Sequence, residues 1–277
     1  MTRTDRVMVV IGTGGMGRAI VRRMGSDVAV VLSDIDERSL QSTADEYESF
    51  GYEVYTRVTD VSSACSVAEL AAYAAWVGEV RQIAHTAGLS PSQAKSSAEV
   101  LAVDLLGVAH ILESFGTVIS SGGAGVVIGS MAAHLLPPLS YEQQAAIAQT
   151  PAADLLTLPF LDPDNVEQPG VAYAIAKQAC LVRVRAASRA WGARSARINS
   201  ISPGTIITPM QHSELNSEVG DGIRSMVSGS ALQRMGTPDE IAAVAEFLLG
   251  PQSSFITGTD VLVDGGVVAS TLPQETR

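Results

Sequence analysis

Val7-Met-Val-Val-Ile11 runs straight into Gly12-Thr13-Gly14-Gly15-Met16-Gly17, and this junction decides the fold. Five consecutive apolar residues, mostly β-branched, are too few for a helix. They are also too uniformly apolar for a strand wetted on one face, so they fit a central parallel strand buried on both sides. Glycines at 12, 14 and 17 then satisfy G-x-G-x-x-G between that strand and the helix expected over 16–25. Such glycines let the backbone turn tightly and approach a pyrophosphate, whose charge a helix N-terminus stabilises. Gly12, Gly14, Gly15, Met16 and Gly17 are therefore candidate cofactor-binding positions. The plain alternative is a glycine-rich turn that holds no ligand.

Outward from this junction, short Val/Ile-rich runs alternate with longer Ala/Leu-rich amphipathic ones. Strands are expected near 6–11, 27–33, 53–58, 80–86, 124–130, 195–201 and 259–264. Helices are expected near 16–25, 37–50, 63–76, 96–119, 171–191 and 238–249. The class is α/β: one doubly wound, Rossmann-type parallel sheet flanked by helices, a single domain over 1–277. Residues 134–169 break the alternation with Pro137-Pro138, a Ser140-x-x-Gln143 capping box, Thr150-Pro151, Pro159, Pro163 and Pro169. This stretch is expected to form an inserted pair of short helices over the sheet's edge, and 270–277 a loose tail.

Composition narrows the function. Apolar residues make up 46% and charged residues 17%, as in a compact protein. A net charge of −11 argues against nucleic acid, whose phosphates need clustered cations. Arg183, Arg185 and Arg189 recur on one expected helix, as a solvated face or as partners of nearby acids. No run reaches the roughly 18 apolar residues of a membrane span, and the run after Arg6 is short for a signal peptide. Cys65 and Cys180 have no metal-ligand spacing, which points to a reduced, cytoplasmic setting.

Two further features carry chemistry. Asp34 ends the second strand, seventeen residues after Gly17. A carboxylate there accepts hydrogen bonds from both adenosine-ribose hydroxyls and repels a 2′-phosphate, so NAD(H) is expected over NADP(H). Asp36 and Glu37 add negative charge, opposed by Arg38. Tyr173 and Lys177 stand four apart in an alanine-rich stretch, on one face if it is helical. A phenol ionises near pH ~10, and an adjacent ammonium favours the phenolate. That makes a tunable acid/base, although the same spacing occurs on plain solvated helices.

Together these pieces resemble the short-chain dehydrogenase/reductase family over nearly the whole chain, insertion excepted. Tyr173-x-x-x-Lys177 matches its catalytic pair, and Ser130 in Val127-Ile-Gly-Ser130 its catalytic serine. Asn199-Ser-Ile-Ser-Pro203-Gly204 followed by Thr208-Pro-Met210 resembles the stretch closing over the nicotinamide. Asp60-Val61 resembles the adenine-contacting pair, and Thr86-Ala87-Gly88 most of the Asn-Asn-Ala-Gly turn. Arg234-x-Gly236-x-Pro238 and Phe255-Ile-Thr-Gly258 through Val263-Asp-Gly-Gly266 match its C-terminal pattern. The resemblance implies reversible hydride transfer between NAD(H) and a secondary alcohol or ketone. It implies that Ser130 donates to the substrate oxygen, that Tyr173 moves the proton, and that Lys177 keeps the phenol acidic. Thr208 and the backbone near Ile206 and Ile207 would fix the carboxamide. A homodimer or homotetramer is implied as well.

The glycine loop is one residue shorter than the family's usual motif. His85 replaces the first Asn of the turn and is expected to be satisfied by local backbone at a strand end. Asp104 stands where the family usually has Asn; it is expected to hold a relay water, its charge offset by Lys177. Ser130 and Tyr173 are forty-three residues apart, far more than usual. Within that gap Leu135, Leu136, Leu139, Leu155, Leu156, Leu158, Phe160 and Leu161 either line a lid over a bulky apolar substrate or form the insertion's own core. Met210, His212, Leu215, Met226 and Val227 are a second candidate wall. Bacterial 3α-hydroxysteroid dehydrogenase/carbonyl reductases resemble the chain in such an insertion, which suggests a steroid or other hydrophobic ketone. A 3-oxoacyl-thioester reductase and a catalytically silent NAD(H) sensor are the competing readings.

Overall fold

Seven parallel strands alternate with helices in the computed structural model, which describes residues 5–166, 168–217 and 219–271. The strands are β1 (Arg6–Ile11), β2 (Ala29–Asp34), β3 (Glu53–Val58), β4 (Glu79–His85), β5 (Ala124–Ile128), β6 (Arg197–Pro203) and β7 (Asp260–Val263). They pair in the order β3-β2-β1-β4-β5-β6-β7. The chain reverses its direction of travel across the sheet between β1 and β4, and ligands of such sheets bind outside the carboxyl ends at this switch point.

Period-two alternation sorts β1 between two cores. Val7, Val9 and Ile11 pack on one face with α3 (Ala64–Val77), α5 (Gly107–Val118) and α7 (Pro169–Ala193). Met8 and Val10 face α1 (Gly15–Met24), α2 (Glu37–Ser49) and α10 (Pro238–Leu249). A strand covered on both faces has no polar side to present, which is why its sequence is an unbroken apolar run.

The expected helix over 96–119 is continuous but not uniform. It starts as α4 (Ser97–Leu101), widens into a π-helical turn at Ala102–Leu106, and resumes as α5. Its apolar length of 22 residues would be enough to cross a membrane, yet Val100, Leu101, Leu105 and Ala109 are spent on the protein's own core.

The insertion departs from its expected place. It forms α6 (Tyr141–Gln149) and 3₁₀ turns at Ala152–Thr157 and Pro163–Asn165. Rather than covering an edge of the sheet, it packs on the outside of α7, α4 and the π turn. Ile147, Leu155 and Leu161 are fully buried there, with Leu139, Leu156, Leu158 and Phe160 packed around them. The physical reason is that α7 is apolar on its outer face too, at Ala172, Ala176, Ala179 and Val182. Arg183 fastens the contact by donating to the carbonyls of Ile147 and Thr150 and pairing with Glu113, whereas Arg185 and Arg189 are exposed.

Leu139, Leu155, Leu156, Leu158 and Leu161 thus join Phe160 in the core of the insertion, Leu136 is exposed, and of the expected lid residues only Leu135 lines the central cavity. Helices α8 (Pro209–Leu215), α9 (Gly220–Gly229) and α11 (Val267–Ser270) complete the fold. The expected loose tail lies, after Thr271, outside the described residues. Leu155→Ala should destabilise the protein by about 2–5 kcal/mol in urea unfolding while leaving the substrate KM unchanged; a raised KM at full stability would return Leu155 to a lid.

Candidate active site

The glycine loop fits a pyrophosphate by its close approaches and by what it leaves open. Gly12 has φ +100°, and a Cβ there would lie 2.6 Å from the Ala87 nitrogen. A Cβ on Gly17 would overlap the Gly12 carbonyl, so both positions require glycine. Gly14 faces open space, and α1 starts there with no capping side chain and no acid in its first turn. Its free N–H groups and dipole suit an anion. The shorter loop therefore retains the features of a nucleotide cradle.

Asp34 braces this loop. Its Oδ2 accepts from the Thr13 N–H (2.7 Å) and hydroxyl (2.8 Å), and its Oδ1 from the Asp36 N–H (3.0 Å). Asp60 is held in a local turn by Ser62, and Val61 is buried against Gly107.

Across the switch point a cavity of about 270 Å³ opens at the strands' carboxyl ends. It is lined by Met16, Ala87, Gly88, Pro203, Gly204, Ile206 and Thr208 where the nicotinamide is expected. Ile207 does not join them. It is 53% exposed, and its N–H is spent on the Gly236 carbonyl (2.9 Å), so that N–H cannot fix a carboxamide. Thr208 caps α8 by accepting from the Gln211 N–H (3.2 Å) and keeps its own proton free to donate.

Ser130, Tyr173, Lys177 and Asp104 meet in the same cavity. Ser130 follows β5, its Oγ accepts from the Ala132 N–H (3.2 Å), and it lines the same cavity as Tyr173. Lys177 lies one helical turn beyond Tyr173, its Nζ 5.3 Å from the phenol ring centre.

Asp104 differs from its expected role. Its Oδ1 sits 2.9 Å from Lys177 Nζ, a direct ion pair rather than one bridged by water, and Oδ2 accepts from the Leu89 N–H (3.3 Å). Asp104 is 1% exposed and Lys177 4%. The π turn is what brings the carboxylate inward.

The electrostatics follow from this pairing. Burial pushes the Tyr173 phenol up; Lys177 pulls it down, Asp104 and Glu214 push it up, and the Ser130 hydroxyl pulls it down. The net direction is upward, against the expectation from Lys177 alone, because burial outweighs an ammonium already paired with a carboxylate. Lys177 itself is lowered by burial but raised further by Asp104 and Tyr173, and stays charged. Burial likewise raises the Asp104 carboxyl, against Lys177 and the Leu89 N–H.

His85 is a correction. It is 1% exposed, and neither ring nitrogen has a hydrogen-bond partner, backbone or otherwise. Burial, then the charge of Lys177, drives its pKa down to about 3, so the ring is neutral. Strand alternation puts it on the same side of the sheet as Ile83, a residue of the apolar core.

Sequence reading found Met210 and Met226 on the remaining wall but missed Leu89, Met131, Gln211, Glu214 and Ile223. Their signal is weak, because wall residues follow no fixed spacing. His212, Leu215 and Val227 from the same expected wall are not among the lining residues.

A dinucleotide cradle at a switch point, with a serine, a tyrosine and a charged lysine around one cavity, defines a nicotinamide-dependent oxidoreductase. Known proteins share the plan. The family model described as short chain dehydrogenase matches residues 6–140, and that described as enoyl-(acyl carrier protein) reductase matches 139–268. The chain is 38% identical to Short-chain dehydrogenase/reductase bsc3 of Alternaria brassicicola, over 96% of this chain and 97% of that one. It is 31% identical to 3-alpha-hydroxysteroid dehydrogenase/carbonyl reductase of Comamonas testosteroni, over 68% and 73%. The crystal structure of levodione reductase superposes with a TM-score of 0.75 at 25% identity, over 96% and 99%. The chain belongs to the short-chain dehydrogenase/reductase family.

Asp104→Asn removes a charge that raises the Tyr173 pKa, so the midpoint of the pH–rate profile for alcohol oxidation, which needs the phenolate, should fall. An unmoved midpoint in a folded variant would show that Asp104 does not tune the phenol.

Proposed function

We propose that the protein is an NAD(H)-dependent carbonyl reductase/alcohol dehydrogenase acting on a compact ketone or secondary alcohol. The observation that carries this is the meeting of Ser130 and Tyr173, forty-three residues apart in sequence, over the buried Lys177. A bound dihydronicotinamide supplies the hydride. Ser130, whose oxygen is already engaged by the Ala132 N–H, donates its proton toward the substrate oxygen where negative charge develops. Tyr173 delivers a proton to that oxygen in reduction and removes it in oxidation, and Lys177 stabilises the phenolate between turnovers. Burial, with Asp104 offsetting the pull of Lys177, raises the phenol, which suits Tyr173 to deliver its proton in the reductive step.

Gly12, Gly14, Gly15 and Gly17 would hold the pyrophosphate, and Asp34 the adenosine ribose. The anchored Asp34 carboxylate, with Asp36 and Glu37 close in sequence, supports NAD(H) over NADP(H). A cavity of about 270 Å³, which must also admit the nicotinamide, lies just below the usual size of ligand pockets, which supports a compact substrate. That levodione reductase shares the fold is consistent with a small cyclic ketone.

The matched enoyl-(acyl carrier protein) reductase description keeps an acyl thioester as a second reading. Against it, among the described residues no cation besides buried Lys177 lines the cavity to meet a phosphate-bearing carrier arm. The cysteine usage supports a cytoplasmic setting. Leu262 on the edge strand β7 and Phe255 just before it are exposed apolar side chains, which supports a homo-oligomer.

NADH oxidation with small cyclic ketones and acyl thioesters, repeated with NADPH, tests the reading. Turnover should require a ketone and proceed with a higher kcat/KM for NADH. Tyr173→Phe should lower kcat about 10²–10⁴-fold while still binding NADH by fluorescence; unimpaired turnover would overturn the assignment.

A further inference from the structure

Apart from the groups that handle the proton and the cofactor, the cavity is walled mainly by Leu89, Met131, Leu135, Met210, Ile223 and Met226, a surface suited to a carbon ring. Three polar side chains interrupt it, Ser90, Gln211 and Glu214. Gln211 and Glu214 are three apart on α8, hence on one face, and both line the cavity. The Gln211 Nε2 is buried and has no hydrogen-bond partner. A buried amide donor left unpaired is a penalty that folding normally avoids, so a partner arriving with the ligand is the physical resolution.

Glu214 is partly buried, and its charge reaches the Tyr173 phenol, which sets it within electrostatic range of the reacting oxygen. Among the described residues its carboxylate accepts one hydrogen bond, to Oε1 from the Ser92 hydroxyl at 3.4 Å, long for O–H···O and easily exchanged for a better donor. Ser90 lines the cavity too, but its hydroxyl is paired with that of Ser92 (2.9 Å).

We propose that Gln211 and Glu214 recognise a hydroxyl group on the substrate, so that the preferred class is a compact hydroxyketone (a diol in the reverse direction) rather than a plain hydrocarbon ketone. This deepens the reading above and rests on it. A hydroxyl can do what neither a methyl nor a second keto group can: accept from the Gln211 amide and donate to the Glu214 carboxylate together. A methyl leaves the Gln211 amide unpaired and gives the Glu214 carboxylate nothing better than its long bond to Ser92. A keto oxygen pairs with Gln211 but faces the carboxylate with a lone pair. With the reacting carbonyl at Ser130 and Tyr173 and the hydroxyl at α8, both ends of the substrate are fixed and its ring lies along the apolar wall.

The test compares 4-hydroxycyclohexanone, cyclohexane-1,4-dione and 4-methylcyclohexanone with NADH. The kcat/KM for the hydroxyketone should exceed that for its methyl analogue by at least about tenfold, as a site built to hydrogen-bond a hydroxyl discriminates, with the dione between them. Gln211→Leu and Glu214→Gln should each shrink the hydroxy-to-methyl ratio, and the pair should bring it close to one. Equal kcat/KM values in the native enzyme, or an unchanged ratio in both variants, would overturn the inference. Turnover of the methyl compound that Tyr173→Phe abolishes upholds the oxidoreductase reading whichever way the ratio falls, so the two failures are distinguishable. Absence of turnover with every ketone overturns both.

Discussion

The buried ion pair between Asp104 and Lys177 constrains everything around it. Two charges taken out of water carry a large desolvation penalty, which is offset only by close, well-oriented contact. That contact is 2.9 Å here, and neighbouring structure conforms to it. A regular α-helix over 97–118 is interrupted by a π turn at the residue that must point inward. Gly88 carries no side chain because a Cβ would come 2.7 Å from Asp104 Oδ1 and 3.5 Å from Lys177 Nζ. The chemistry follows as well. An unpaired ammonium would make Tyr173 a stronger acid, whereas a neutralised one leaves burial to decide, and burial keeps the phenol protonated.

The cofactor cradle and the substrate wall are joined through a few close contacts. Thr86 donates to the carbonyls of Ile11 and Gly12, which locks the end of β4 against the glycine loop. A Cβ on Gly15 would lie 3.0 Å from Thr208 Cγ2, so the start of α1 touches the cap of α8. Thr208 therefore stands between the nucleotide loop and the helix that carries Gln211 and Glu214. A cofactor that orders Thr208 would also orient those two side chains.

Much of this was legible in the sequence because it repeats simple periods. The apolar run at Val7–Ile11 reports a strand covered on both faces, and the glycines after it report backbone approaches that no Cβ survives. Ser130, Tyr173 and Lys177 were found by motif, and the fold brings them together. What escaped depends on the third dimension. Alanines in α7 look the same whether they face solvent or the insertion, so the insertion's seat on Ala172, Ala176 and Ala179 left no signature. His85 precedes a loop and suggests backbone partners, but alternation turns its ring into an apolar layer. The sign of the Tyr173 shift depended on how deeply the pair is buried, which spacing alone does not encode.

The insertion gives the two walls of the cavity different mechanical characters. Helix α7 is packed on its inner side by the sheet core, through Cys180, Val184 and Trp191, and on its outer side by Leu155, Leu161 and Ile147 of the insertion. A helix gripped on both sides holds Tyr173 and Lys177 in fixed geometry, as proton transfer requires. The facing wall is built otherwise. Among the described residues α8 has no fully buried residue, although Gln211 and Glu214 are partly buried, and α9 fully buries only Gly220. Elements with so little buried apolar contact sit at the low end of local stability. The wall that handles the proton is thereby held on two sides, while the wall that would meet the rest of the substrate is packed far less.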